Sequence, residues 1–197
     1  MRAGTPSAKR LAHSAKSYSR GLSVAVKKKY WILLFLFLWI LSVDQWTKYS
    51  IEKRLPLHHT VPVVKGFFNL THVRNPGGAF GILGGEKLGI GSSLFVLVSL
   101  LAIGIILFLF FKVREGEDIL ALAFAMVLSG AVGNLIDRFR IGEVIDFFDF
   151  HISSLHWPAF NIADSAITIG IGLILVEIFT RDRQQTTKKK LQISNRK

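Results

Sequence analysis

Residues 88–111 read LGIGSSLFVLVSLLAIGIILFLFF, 24 uncharged residues between Lys87 and Lys112. A helix of that length exceeds the ~30 Å hydrocarbon core of a bilayer, and a soluble core has no need of so long an apolar run. The segment is therefore expected to cross a membrane. Working outward from it, Ile119 to Ile136 gives a second uncharged stretch between Asp118 and Asp137. An apolar run beginning at Tyr30-Trp31 and another from Ala166 to Val176 complete a set of four. The spacing predicts helices over about 28–50, 88–111, 119–138 and 160–180. Outer loops fill 51–87 and 139–159. The first apolar run follows a basic segment, as in a secretory signal peptide. It ends in Asp44-Gln-Trp-Thr-Lys48 with no small-residue cleavage site, so it reads as an uncleaved helix.

Composition supports this reading. Half of the 197 residues are hydrophobic, yet the formal net charge is +12. Lipid-spanning segments with basic flanks reconcile the two, and nucleic-acid binding is not expected. The absence of Cys excludes disulfides, thiolate metal sites and a Cys nucleophile. The six His show no HExxH or comparable spacing, so no zinc site and no cofactor are expected.

Residues 1–29 hold eight Lys or Arg and no acid, and read as a basic arm on the cytoplasmic face. Residues 30–183 form the membrane domain, and 184–197 a basic cytoplasmic tail. With both termini inside, the arm, the 112–118 loop and the C-terminal segment from Arg181 onward carry 17 of the 25 Lys and Arg, as the positive-inside rule requires. This orientation brings polar residues of three helices to one depth near the outer face. They are Asp44 and Lys48 on the first, Asn134, Asp137 and Arg138 on the third, and Asn161 and Asp164 on the fourth. Within each helix the intervals are three or four, so each set shares a face. Gly130 and Gly133 add a small face for close helix approach.

The loop over 51–87 carries the β-branched and aromatic run Val61 to Val73, then Asn75-Pro-Gly-Gly, and is expected to form one or two short strands. The second loop, Val144-Ile-Asp-Phe-Phe-Asp-Phe-His, has aromatics suited to the headgroup region, with Asp146 and Asp149 set among them. The fold class is thus an all-α membrane protein with a small extracytoplasmic sheet over the outer helix ends.

Intramembrane carboxylates cost about 2.5–3.5 kcal/mol at a helix centre on insertion scales. Asp44–Lys48 has a plain explanation as an i, i+4 pair snorkelling at a helix end, and Asp137–Arg138 as an interfacial anchor. Asp164 has no basic neighbour on its helix, which points to function. With no GxSxG elbow, the chemistry open to the chain is two carboxylates sharing a proton and activating a water. Asp164 is one candidate, and spacing leaves Asp137, Asp146 and Asp149 open for the other.

Five motifs in order resemble the bacterial lipoprotein signal peptidases, signal peptidase II. They are Asp44-Gln-Trp-Thr-Lys48, Asn75-Pro-Gly-Gly-Ala-Phe-Gly81, Gly133-Asn-Leu-Ile-Asp-Arg138, Val144-Ile-Asp-Phe147 and Phe160-Asn-Ile-Ala-Asp164. Gly78 stands where that family commonly has Ala. The resemblance implies an inner-membrane aspartic endopeptidase that cuts diacylglyceryl-modified prolipoproteins just before the lipidated Cys. It implies Asp146 and Asp164 as the catalytic pair, supported by Asp44, Lys48, Asn75, Asn134, Asp137, Arg138 and Asn161. It assigns no role to Asp149. Prolipoproteins and membrane lipids are the expected partners, and a monomer the expected state. The competing classes are a small proton- or ion-coupled transporter using Asp44, Asp137 and Asp164, and a purely structural membrane subunit. The absence of an internal repeat and the clustering of polar groups at one face weigh against the transporter.

Overall fold

The computed structural model describes residues 27–77 and 90–194. Most of the basic arm (1–26), the end of the Asn-Pro-Gly-Gly motif from Gly78 to Gly81, the start of the second span and residues 195–197 lie outside them. Four helices are long and apolar enough to cross a membrane. They are α1 (Lys28–Arg54), α2 (Ile90–Lys112), α3 (Asp118–Ile141) and α4 (Ile162–Ser194). Strands β1 (Thr60–Val64) and β2 (Phe68–Asn75) lie between α1 and α2. Strands β3 (Val144–Ile152) and β4 (Leu155–His156) lie between α3 and α4. The chain is a multi-pass membrane protein with a small antiparallel sheet, as expected.

Three helix ends differ from the expectation, α3 running three residues past 138 to Ile141. Helix α1 runs one turn further, through Ile51-Glu-Lys-Arg54. Helix α4 does not stop at Arg181 but continues to Ser194. Gln and Lys are good helix formers, so leaving the apolar stretch does not end the helix.

Helix α3 is the hub, packing against each of the other three. Its contact face is built from small residues: Ala121, Ala123, Ala125, Gly130 and Gly133 are buried. A Cβ on Gly130 would lie 2.3 Å from the Ala163 carbonyl oxygen, and one on Gly133 would lie 2.6 Å from Asp44 Oδ2. Only glycine admits α4 and the Asp44 carboxylate so close to α3. Helix α3 ends at Gly142, whose φ of 77° gives a left-handed cap and turns the chain into β3.

The sheet has the order β1-β2-β3-β4. The β2–β3 register sets Val73 opposite Asp146, Asn75 opposite Val144 and Asn69 opposite Asp149. Phe148 N–H donates to the Phe160 carbonyl at 2.8 Å, and Phe160 N–H returns to the Phe148 carbonyl at 3.1 Å. This bridge holds the start of α4 against β3. Glu52 at the end of α1 pairs with Arg74 of β2 at 3.4 Å and Arg140 of α3 at 2.6 Å, tying sheet to bundle. At the opposite end, buried Lys29 donates to the carbonyls of Phe111 (3.0 Å) and Val113 (2.7 Å), a cation on the C-terminus of α2.

Candidate active site

Three helices and one strand converge at the sheet end. On α1, Lys48 is fully buried, and its ammonium has three acceptors for its three protons. They are Asp44 Oδ2 at 3.0 Å, Asp137 Oδ2 at 2.9 Å and Asn134 Oδ1 at 2.9 Å. Asp44 and Asp137 are equally sealed from solvent. Neither fits its plain explanation. Asp44–Lys48 is an interior pair rather than a snorkelling one, and Asp137 pairs across to Lys48 rather than with its neighbour Arg138. Gln45 points its amide at Asp44 Oδ2 (3.1 Å), the Gly133 carbonyl (3.2 Å) and Asp137 Oδ1 (3.3 Å). The sequence reading missed Gln45; its place beside Asp44 in a polar turn was the available signal.

Asp44 also reaches α4, where its Oδ1 accepts the Ala163 N–H at 2.9 Å. The next N–H, of Asp164, donates to Asn161 Oδ1 at 2.9 Å, and Asp164 Oδ2 accepts the Asn161 N–H at 3.2 Å. This is a capping box with Asn161 as N-cap and Asp164 at the third helical position. Asn134 Nδ2 donates to Asp164 Oδ1 at 2.8 Å.

Asp146 comes from β3. Asn161 Nδ2 donates to its Oδ1 at 2.7 Å, and Asn75 Nδ2 to its Oδ2 at 3.1 Å. Asn75 reaches it diagonally across the β2–β3 ladder. Asn161 therefore holds both carboxylates, Asp146 by its side-chain amide and Asp164 through the helix cap. Burial, and then the charge of Asp164 beside it, push the Asp146 carboxyl up to about 7, against the hydrogen bonds from Asn75 and Asn161. Asp164 has no cationic hydrogen-bond partner among the described residues. Arg138 is half-buried, lies over the Phe95 ring at 5.8 Å, and is within electrostatic range of Asp164, Asp146 and Asp137.

Asp146, Asp164 and Asn75 line a cavity of about 840 Å³ whose other walls are Trp157, Pro158, Ala159, Phe160, Ser165, Thr168 and Ile169. It is a mostly apolar trough with two carboxylates at one side. Of the residues singled out from the sequence, Asp146, Asp164 and Asn75 face this space. Asp44, Lys48, Asn134, Asp137 and Asn161 form the network behind it. Asp149 belongs to neither. It sits at an odd separation from Asp146 on β3, hence on the opposite face of the sheet, hydrogen-bonded to Asn69 and His156.

The chain matches the family model for signal peptidase (SPase) II over residues 36–180, a span that contains all of these residues. A lipoprotein signal peptidase of Syntrophus aciditrophicus is 46% identical over 147 residues, covering 75% of this chain and 91% of that protein. One of Geobacter sulfurreducens is 42% identical over 160 residues, covering 81% of this chain and 99% of that one. A solved structure of a bacterial membrane enzyme, obtained by the in meso method, superposes with a TM-score of 0.67 at 32% identity. It covers 75% of this chain and 87% of that one.

Proposed function

The chain belongs to the signal peptidase II family, and on that premise we propose that it is an aspartic endopeptidase. Its reaction is removal of the signal peptide from diacylglyceryl-modified prolipoproteins, just before the lipidated Cys, with Asp146 and Asp164 as the catalytic pair. The observation that carries this reading is that both carboxylates line one cavity and are held by neutral amides. The fully buried cation of the network, Lys48, is taken up by Asp44 and Asp137.

The chemistry follows from that division. Asp146, raised to about 7, holds the proton shared by the pair and donates a hydrogen bond to the scissile carbonyl oxygen. Asp164, at the first turn of α4 where the helix dipole favours negative charge, is the base. It draws a proton from water as the water oxygen attacks the carbonyl carbon. Asp146 gives its proton to the carbonyl oxygen, and a tetrahedral diol forms. On collapse the C–N bond breaks, the amine leaves with the proton from Asp164, and Asp146 recovers its own. Asn161, Asn134 and Asn75 orient the pair, while Asp44, Lys48 and Asp137 lock α1, α3 and α4 together behind it. Arg138, close to both acids, is placed to meet substrate.

We assign both termini to the cytoplasm and the site to the outer face of the bacterial inner membrane, because basic residues concentrate at the end away from the sheet. A signal peptide emerges at that depth. The apolar wall of Trp157, Pro158, Thr168 and Ile169 suits an apolar helix, with the diacylglyceryl chains remaining in lipid. A monomer holds every residue the reaction uses.

The test is cleavage of a diacylglyceryl-modified prolipoprotein by the detergent-purified chain, beside Asp146→Asn and Asp164→Asn. Loss of acid–base catalysis lowers the rate by about 10²–10⁴-fold in each variant with the melting transition retained. Undiminished cleavage by either variant removes that Asp from the pair. An inert wild type turns attention to ion transport.

A further inference from the structure

Away from the cavity, the β3–β4 hairpin gathers a second set of groups. His151 and His156 are direct partners in the antiparallel register, and Asp149 lies two residues before His151 on the same face. One ligand atom from each lies within 4.8 Å of the others. We propose that Asp149, His151 and His156 form a binding site for a transition-metal ion, with Zn²⁺ the best match to two imidazoles and a carboxylate.

The carboxylate is prepared for this role. Asn69, opposite Asp149 on β2, donates to its Oδ2 at 2.8 Å and so turns Oδ1 toward the histidines. Such a partner fixes the orientation of a metal-ligating carboxylate. Asp149 is buried, His151 half-buried and His156 exposed, which leaves an open side for the ion to arrive from water.

In the metal-free arrangement His156 Nδ1 bonds Asp149 Oδ1 at 2.7 Å, and the two imidazoles stack with centroids 4.7 Å apart. Zn–N bonds of about 2.0–2.1 Å in a tetrahedral site separate ligand atoms by roughly 3.3 Å. To reach that spacing from within 4.8 Å the stack opens, and the ion replaces the His156–Asp149 hydrogen bond and the 3.3 Å contact of Asn69 Nδ2 with His151 Nδ1. Three protein ligands leave a fourth position for water. The ion would join β3 to β4 directly before Trp157, the first residue of the cavity wall, and so stiffen that wall. Helical ligand spacings do not reveal this set, because strand register brings it together.

The test uses the full chain without a polyhistidine tag, purified in detergent and stripped with EDTA, then titrated with ZnCl₂ by calorimetry and with Co²⁺ by visible absorption. One ion per chain at micromolar affinity, an intense tetrahedral Co²⁺ band and a zinc-dependent rise in Tm are expected. His151→Ala, His156→Ala and His156→Gln each weaken binding about tenfold or more, and Asn69→Ala about tenfold through carboxylate orientation. His58→Ala leaves it unchanged. The Gln variant keeps a hydrogen-bonding group beside Asp149, so its Tm in EDTA separates lost ligation from lost folding. No stoichiometric binding at 100 micromolar zinc, or binding undiminished in both Ala variants, overturns the site and leaves a His–Asp hydrogen bond that merely closes the hairpin.

Discussion

Asn161 and Asp164 each cap the other: the Asp164 N–H donates to Asn161 Oδ1 at 2.9 Å and the Asn161 N–H to Asp164 Oδ2 at 3.2 Å. The start of α4 and the aim of a proposed catalytic carboxylate are thus one structural fact. Asn161 extends the tie to Asp146 with its remaining amide hydrogens. Its side chain cannot flip without losing both contacts.

Asn161→Ala therefore removes a helix cap and the main partner of Asp146 together. Stability is expected to fall by about 1 kcal/mol, the usual cost of an N-cap. Cleavage should fall about 10²-fold from misplacement of the pair, far more than so small a loss of stability explains. Thermal melting and initial cleavage rates in the same detergent check this, and a variant with unchanged rate would remove Asn161 from the positioning role.

The raised Asp146 carboxyl sets a pH dependence. Activity needs the proton on Asp146, so the rate should decline as pH climbs through about 7. Folding has the same sign. A group raised from 3.8 to about 7 contributes its full stability below the lower value, and that contribution is lost as pH rises through the upper one. Asp146→Asn cannot ionise, so at pH 8 it should be more stable than wild type, by at most about 4 kcal/mol at roughly 1.4 kcal/mol per pKa unit. The advantage should shrink toward pH 5. Melting curves across that range decide it, and a constant difference would contradict the burial argument.

Lys48→Met leaves Asp44 and Asp137 facing each other without their cation. Breaking a buried ion pair from one side costs about 3–5 kcal/mol. Adding Asp137→Asn removes one of the stranded charges and should recover part of that loss. Chemical unfolding of the single and double variants measures the recovery; strict additivity would mean that the two residues do not interact.

Gly133→Ala puts a methyl 2.6 Å from Asp44 Oδ2, whereas the Cβ of Gly172→Ala meets nothing within 4 Å. The first should cost about 1–3 kcal/mol by overpacking and reduce cleavage. The second should be neutral or stabilising by up to about 1 kcal/mol. Paired melting and activity assays compare them, and equal effects would sink the packing argument.

Much of this was visible in residue order. Runs of uncharged residues showed the four spans, and intervals of three and four brought Asp44, Lys48, Asn134, Asp137, Asn161 and Asp164 to one end. What escaped was set by pairing between distant segments. The stretch 144–152 looked like an aromatic interfacial loop because Phe147 and Phe148 are adjacent and break strict alternation, yet it is a central strand. Without that strand the odd spacing of Asp146 and Asp149 could not be turned into opposite sheet faces. The partnership of Lys48 with Asp137 depends on how α1 meets α3, and no local rule gives it. The far end of α4 escaped for another reason: a basic flank marks where a membrane ends, not where a helix does.

The Asp44–Lys48 pair also bears on biogenesis. Helix α1 is synthesised before α3, which supplies Asp137 and Asn134. A lone acid or lone base on its polar turn would have to enter lipid uncompensated. Four residues apart on one helix, Asp44 and Lys48 neutralise each other from the outset. The ion pair thus acts first as a travelling companion for a nascent segment, and only after α3 arrives as the keystone of the assembled site.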